Sequence, residues 1–231
     1  MEEKIYIIAN WKARKTLSEI KLWFNHISRE KIFKNLPPQI KIIIAPPYPF
    51  LMITQSLIKK HNLSFALASQ DISAYPAGAY TGEVPAEIIL NLVDYAIIGH
   101  TERRKILQEN TNILKKKLLQ AKKNNLKTIY CLLNTNDSLK KQADILAYEP
   151  PESIGTGKNT SLSKILEFKE KAEIKKTFLY GGSVNLQNID HYLTDNRSSS
   201  ILLDKSLDGF LLGTVSLYPI DFTALIKKLI K

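Results

Sequence analysis

A single cysteine, Cys131, leaves no internal disulfide to form, and no CxxC pair or His/Cys cluster has metal-ligand spacing. No apolar run approaches the roughly 18 residues of a membrane-spanning helix. The opening MEEKIYIIANWK is acidic and turns straight into a strand-like run, so a secretory signal is not expected. These absences together imply a cytoplasmic protein. No GxGxxG follows the first strand pattern, which removes support for an open dinucleotide-binding sheet. There is also no compact Arg-rich patch interleaved with aromatics, although the formal charge is +11. The lysines are scattered as pairs and triplets, such as Lys59-Lys60, Lys115-Lys116-Lys117 and Lys227-Lys228. We expect solvated helix faces and a positive field that steers small anions, with no nucleic-acid and no membrane partner.

What the chain does have is alternation. Its 231 residues, 44% hydrophobic, suit one domain, 1–231, with a sizeable core. Strands are predicted at 4–9, 40–45, 64–69, 94–98, 126–132, 143–148, 177–180 and 207–212, each a short and mostly apolar run. Helices are expected at 16–29, 49–60, 86–91, from 101 to about 123, 161–172, 186–193 and 221–230, with only a short helical piece at 137–142. Near-continuous apolar strands separated by helices imply parallel strands covered by outer helices. Eight such units fit an α/β fold, the closed (β/α)8 barrel, with its fifth helix shortened and its functional rim at the C-terminal strand ends.

That rim collects chemistry. The run AYEPPESIGTGK at 147–158 ends a strand at Glu149, because Pro150 and Pro151 cannot donate to a ladder. It continues into a loop with two glycines. A carboxylate there suits a general base beneath a lid that binds an anion, although an ordinary strand–loop–helix junction reads the same way. Asn10 and Lys12 follow the first strand, His100 the fourth, Ser183 the seventh, and Gly213-Thr214 the eighth. Each has a mundane alternative, such as a solvated lysine, a helix-capping histidine or a tight turn. An acid/base pair, a cation and Gly-containing loops on one rim are together more informative.

Seven motifs occur in order along the chain: NWK at 10–12, GAYTGE at 78–83, GHTERR at 99–104, AYEP at 147–150, IGTGK at 154–158, YGGSV at 180–184 and DGFLLG at 208–213. Together they resemble the triosephosphate isomerase family. The resemblance implies a dimeric enzyme without cofactor or metal that interconverts dihydroxyacetone phosphate and glyceraldehyde 3-phosphate, a family whose acid/base chemistry is a standard worked case. It also implies roles. Glu149 moves the carbon-bound proton, and His100, kept neutral by the adjoining helix start, polarises the carbonyl. Lys12 offsets the substrate's charge, with Glu102 as its companion, and Asn10 positions the oxygen. Backbone N–H groups of Gly155, Ser183, Gly213 and Thr214 bind phosphate, aided by the helix start after the eighth strand. Tyr180 and Ser183 latch the lid. The long loop from Gln70 to Glu83 clasps a second subunit, with Thr81 reaching the partner's site. Cys131 is expected to serve packing.

Three departures stand out. Pro151-Glu152-Ser153 replaces the family's usual apolar–Trp–small lid hinge, so altered lid kinetics are expected. Thr214 stands where a second glycine is common, and a β-branched residue resists φ > 0 and crowds a phosphate, so weaker substrate binding is expected. The segment after Cys131 is short, and 194–200 is a polar insertion. Two other readings remain open: a non-catalytic binding or surface-interaction protein on the same barrel, and another phosphosugar barrel enzyme.

Overall fold

The computed structural model describes residues 4–150, 159–194, 201 and 203–230. Eight strands close into one parallel barrel: β1 (Ile5–Asn10), β2 (Ile40–Ala45), β3 (Ala66–Ser69), β4 (Tyr95–Ile98), β5 (Lys127–Leu132), β6 (Ile145–Tyr148), β7 (Phe178–Tyr180) and β8 (Gly209–Leu212). Each pairs in sequence order, and β8 returns to β1 with Ile7 opposite Phe210. The helices are α1 (Leu17–Ile27), α2 (Lys31–Lys34), α3 (Leu51–Lys60), α4 (Ala86–Ile89), α5 (Thr101–Ile106), α6 (Thr111–Lys123), α7 (Leu162–Lys171) and α8 (Pro219–Leu229). Among the described residues no helix is long and apolar enough to cross a membrane.

The strands are apolar on both faces because both are covered. Inward residues such as Ile8, Ile43, Ile97, Ile129 and Leu211 fill the barrel, while Ile7, Ile42, Ile98 and Leu212 pack under the helices. Register at the N-terminal end is set by aspartates. Asp94, Asp144 and Asp208, each just before an even-numbered strand, accept the backbone N–H of Leu67, Thr128 and Phe178 at 3.2, 2.8 and 2.7 Å. Asp144, included in the sixth strand by sequence, is thus a clamp ahead of it. Closure needs Gly209, since at φ +133 a Cβ there would lie 1.9 Å from Tyr6 O.

Helix α1 follows its pattern closely. Thr16 and Glu19 form a capping box, and Ile20, Trp23, Phe24 and Ile27 are buried at helical spacing. Two expected helices differ. The long helix after β4 is two, because Gln108 takes φ +54 and Asn110 caps Ile113 N–H at 3.1 Å, starting α6 afresh. The expected helix at 186–193 is only a 3₁₀ turn, Ile189–Tyr192. Asn185 and Asn188 trade side-chain bonds with each other's N–H at 3.1 and 2.8 Å, which competes with helix formation. After β5 only the 3₁₀ turn Lys140–Gln142 precedes β6, as the short spacing implies.

Candidate active site

The C-terminal strand ends surround a cavity of about 380 Å³, lined among others by Asn10, Lys12, His100, Glu149, Ser183, Gly213 and Thr214. Six of these seven come from four strand ends and Ser183 from the turn after β7, so residues up to 204 positions apart meet there only because the barrel closes. Gly155, the remaining sequence-derived phosphate ligand, lies outside the described residues, as do the Pro151-Glu152-Ser153 hinge and most of the 194–200 insertion.

Glu149 follows β6 and is 1% exposed. Its Oε2 accepts from Thr101 N–H at 2.9 Å and from the Thr101 hydroxyl at 3.0 Å, while Oε1 lies 3.0 Å from His100 Nε2. Burial pushes this carboxyl up, but His100 and the Thr101 donors outweigh it and hold the pKa below the ordinary carboxylate value. Gly181 gives the side chain its lane, since a Cβ there would lie 3.0 Å from Glu149 Cγ. Burial first and the Glu149 carboxylate second push the thiol of Cys131, on β5, far up, so it stays protonated. Thr101 does not announce its contact with Glu149 in sequence, because that contact links the ends of β4 and β6, 48 positions apart.

His100 caps α5, and its Nδ1 accepts the Glu102 N–H at 3.2 Å. An accepting Nδ1 carries a lone pair, so the ring's proton sits on Nε2, facing Glu149. An Nδ1 that accepts belongs to a neutral imidazole, and two opposing influences act on its affinity for a second proton. Burial lowers its pKa, yet the Glu149 carboxylate more than offsets this and raises it above the ordinary histidine value. Helix α5 has only six residues and Glu102 in its first turn, so its dipole is a weak counterweight.

Lys12 sits at φ +53, a left-handed conformation rare for a side-chain-bearing residue and common where function overrides comfort. Asn10 Oδ1 accepts its N–H at 3.1 Å, and Gln70 Nε2 donates to its carbonyl at 2.9 Å. Its ammonium meets Glu102 Oε1 at 2.6 Å. Ser183, also in the lining, takes φ +46, and Asn188 Nδ2 donates to its carbonyl at 3.0 Å. Tyr180, fully buried, accepts the Thr160 N–H on its hydroxyl at 2.8 Å.

The turn after β8 changes two expectations. Gly213 leads into a 3₁₀ turn, Thr214–Leu217, and α8 begins only at Pro219. Individual amides, not a helix macrodipole, are what this turn offers. Thr214 is helical and exposed and is not among the residues with φ > 0, so the backbone strain expected of its β-branched side chain does not arise.

A closed parallel barrel carrying a buried carboxylate–imidazole pair, a lysine and a Gly-containing turn around one cavity defines a (β/α)8-barrel enzyme of the acid/base type. A family model described as triosephosphate isomerase matches residues 5–145 and 133–229. Triosephosphate isomerase of Mesomycoplasma hyopneumoniae (strain 7448) is 36% identical over 95% of this chain and 97% of its own. That of Polynucleobacter asymbioticus is 32% identical over 96% and 98%, and that of Mycoplasma mobile 33% over 98% and 100%. The chain belongs to the triosephosphate isomerase family. It is an aldose–ketose isomerase, interconverting dihydroxyacetone phosphate and D-glyceraldehyde 3-phosphate, and nothing in the fold or the relatives favours a non-catalytic binder.

Proposed function

We propose that Glu149 is the base of this reaction, His100 its electrophile, Lys12 the electrostatic partner of the developing oxyanion, and Asn10 a positioning donor. One observation carries the assignment: Glu149 and His100 lie 3.0 Å apart in a cavity that Lys12, Gly213 and Thr214 also line. Glu149 removes a proton from the carbon beside the carbonyl, leaving an enediolate, and returns it to the neighbouring carbon. The Nε2–H of His100 stabilises the oxygen that gains charge. At rest that N–H faces Glu149. When the carboxylate turns from Thr101 to the substrate, its raising influence on the imidazole goes, while burial and Lys12 still lower the pKa. The ring is then a neutral donor when it is needed.

Amides of Ser183, Gly213 and Thr214, with Gly155, bind the phosphate. The chain works as one domain, in the cytoplasm, and as a homodimer clasped through the 70–83 loop. The loop's buried root and exposed tip support this, with Tyr75 and Tyr80 stacked at 4.6 Å and about two-fifths exposed. So do the exposed Ile106 and Leu107 beside Lys12 and Gln70, an apolar rim for such a tip.

An isomerase assay coupled to glyceraldehyde-phosphate reduction tests the assignment. Glu149→Asp and His100→Gln should each lose most of kcat, and either one retaining full activity contradicts it. Phosphoglycolate, an enediolate mimic, should raise the melting temperature.

A further inference from the structure

The chain has two tryptophans, and both direct their indole N–H to one carbonyl. Trp11 Nε1 donates to Ser216 O at 3.2 Å, and Trp23 Nε1 donates to the same oxygen at 3.1 Å. The next carbonyl, Leu217 O, accepts from Lys15 Nζ at 2.7 Å, and that ammonium lies 5.2 Å from the centroid of the Trp11 ring. Ser216 and Leu217 end the Thr214–Leu217 turn, where a helical segment leaves carbonyls without internal partners. At the turn's other end, Gly213 and Thr214 line the catalytic cavity. The two ends are coupled through a short link, because the Ser216 N–H and hydroxyl both donate to Gly213 O, at 3.0 and 2.6 Å.

The clamp itself is firmly seated. Trp11 and Trp23 meet edge to face at 5.2 Å, and Trp23 packs on Phe222 of α8 at 5.5 Å. Lys15 is held in the left-handed region at φ +74, a backbone setting that a lysine does not adopt without cost. Fixing two carbonyls of a five-residue link fixes the direction of the amides at its other end.

We propose that Lys15 and Trp23 are positioning residues for phosphate: by holding the Ser216 and Leu217 carbonyls they aim the Gly213 and Thr214 amides into the cavity. The inference rests on the phosphate role proposed above for that turn. Glu149 and His100 are held separately, by Thr101 and the Glu102 N–H, and the clamp makes no hydrogen bond to either. It therefore acts on the phosphate end of the substrate and leaves proton transfer alone.

Trp23→Phe removes the N–H and keeps a ring; Lys15→Met removes the ammonium and keeps the stem; Lys15→Arg restores a donor. Each is assayed with glyceraldehyde 3-phosphate, with D-glyceraldehyde, which lacks phosphate, and for binding of inorganic phosphate by calorimetry. Loss of one hydrogen bond should raise KM for the phosphorylated substrate and Kd for inorganic phosphate about three- to tenfold. Turnover of the bound substrate and kcat/KM for D-glyceraldehyde should stay within about twofold, and Lys15→Arg should recover most of the loss. Unchanged KM and unchanged phosphate Kd in folded variants overturn the proposal, as do equal losses on both substrates. If Trp23→Phe fails to fold, the Lys15→Met and Lys15→Arg pair decides alone. A wild-type chain inactive on glyceraldehyde 3-phosphate refutes the site assignment itself; phosphate binding then still judges the clamp, which falls if Lys15→Met binds as wild type does.

Discussion

Replacing Gly182 by alanine should destabilise the protein well beyond what one added methyl group suggests. A Cβ at that position would lie 2.3 Å from Tyr180 Oη and 2.6 Å from its Cζ, so the ring must move. It has nowhere easy to go. Tyr180 is fully buried, its hydroxyl accepts the Thr160 N–H at 2.8 Å, and its ring sits 5.2 Å from that of Tyr192. Tyr192 in turn donates to Thr160 O at 2.9 Å, so the two tyrosines pin one residue's backbone from both sides. Overpacking a core costs roughly 1–3 kcal/mol, and stranding the buried Thr160 N–H adds about 1–2 more. A total of roughly 2–5 kcal/mol corresponds to about 4–20 °C in Tm for a chain of this size. Denaturant unfolding monitored by tryptophan fluorescence reads the free energy. Tyr180→Phe, which gives up the Thr160 bond beforehand, should make the added methyl less costly by about 1–2 kcal/mol in a double-mutant cycle. Wild-type stability in Gly182→Ala, or strict additivity with Tyr180→Phe, would refute this reasoning.

Two further outcomes are expected. Asp71, buried among Lys117 and Arg103, has its pKa pushed up to about 6, burial outweighing both cations. The folded state therefore keeps a proton that the unfolded chain releases near its ordinary value, so this group's contribution to stability is greatest below about pH 4 and is lost as pH rises through 6. The span is roughly 3 kcal/mol; Asp71→Asn should abolish it, seen as a pH-dependent gap between the two unfolding free energies, and a constant gap would count against the burial argument. Lys12→Met should cost activity at least about a hundredfold while barely moving stability. Its Glu102 partner is 42% exposed, and solvent screening leaves such a pair worth about 0–1 kcal/mol; matched losses in Tm and turnover would show a merely structural lysine.

The barrel was legible because its strands are buried on both faces, and runs such as IKIIIA at Ile40–Ala45 carry that signal undiluted. A stop signal confined to two residues also carried, as Pro46-Pro47 follow β2 directly. What the pattern could not convey was competition between local options. Gln108 in a left-handed turn breaks an apolar periodicity that reads as one helix, and the Asn185–Asn188 exchange replaces a helix with a tight turn. The candidate catalytic residues were visible through their places after the strand ends and through motif order, whereas the meeting of Lys12 and Glu102 across 90 positions was visible through the motifs alone. Contacts with no motif stayed hidden. Thr101 on Glu149, and the two indoles on Ser216 O, arise from barrel closure and helix packing, which leave no periodic trace in the chain.

The central claim is that Glu149 carries a proton between adjacent carbons of the substrate. Incubating the wild-type protein with dihydroxyacetone phosphate in deuterium oxide, followed by proton NMR, reports this directly. Deuterium should enter the carbon-bound position of both triose phosphates in the wild type and should be lost with Glu149→Gln, in a protein that still binds phosphoglycolate. Exchange that persists at wild-type rate in Glu149→Gln would contradict the account.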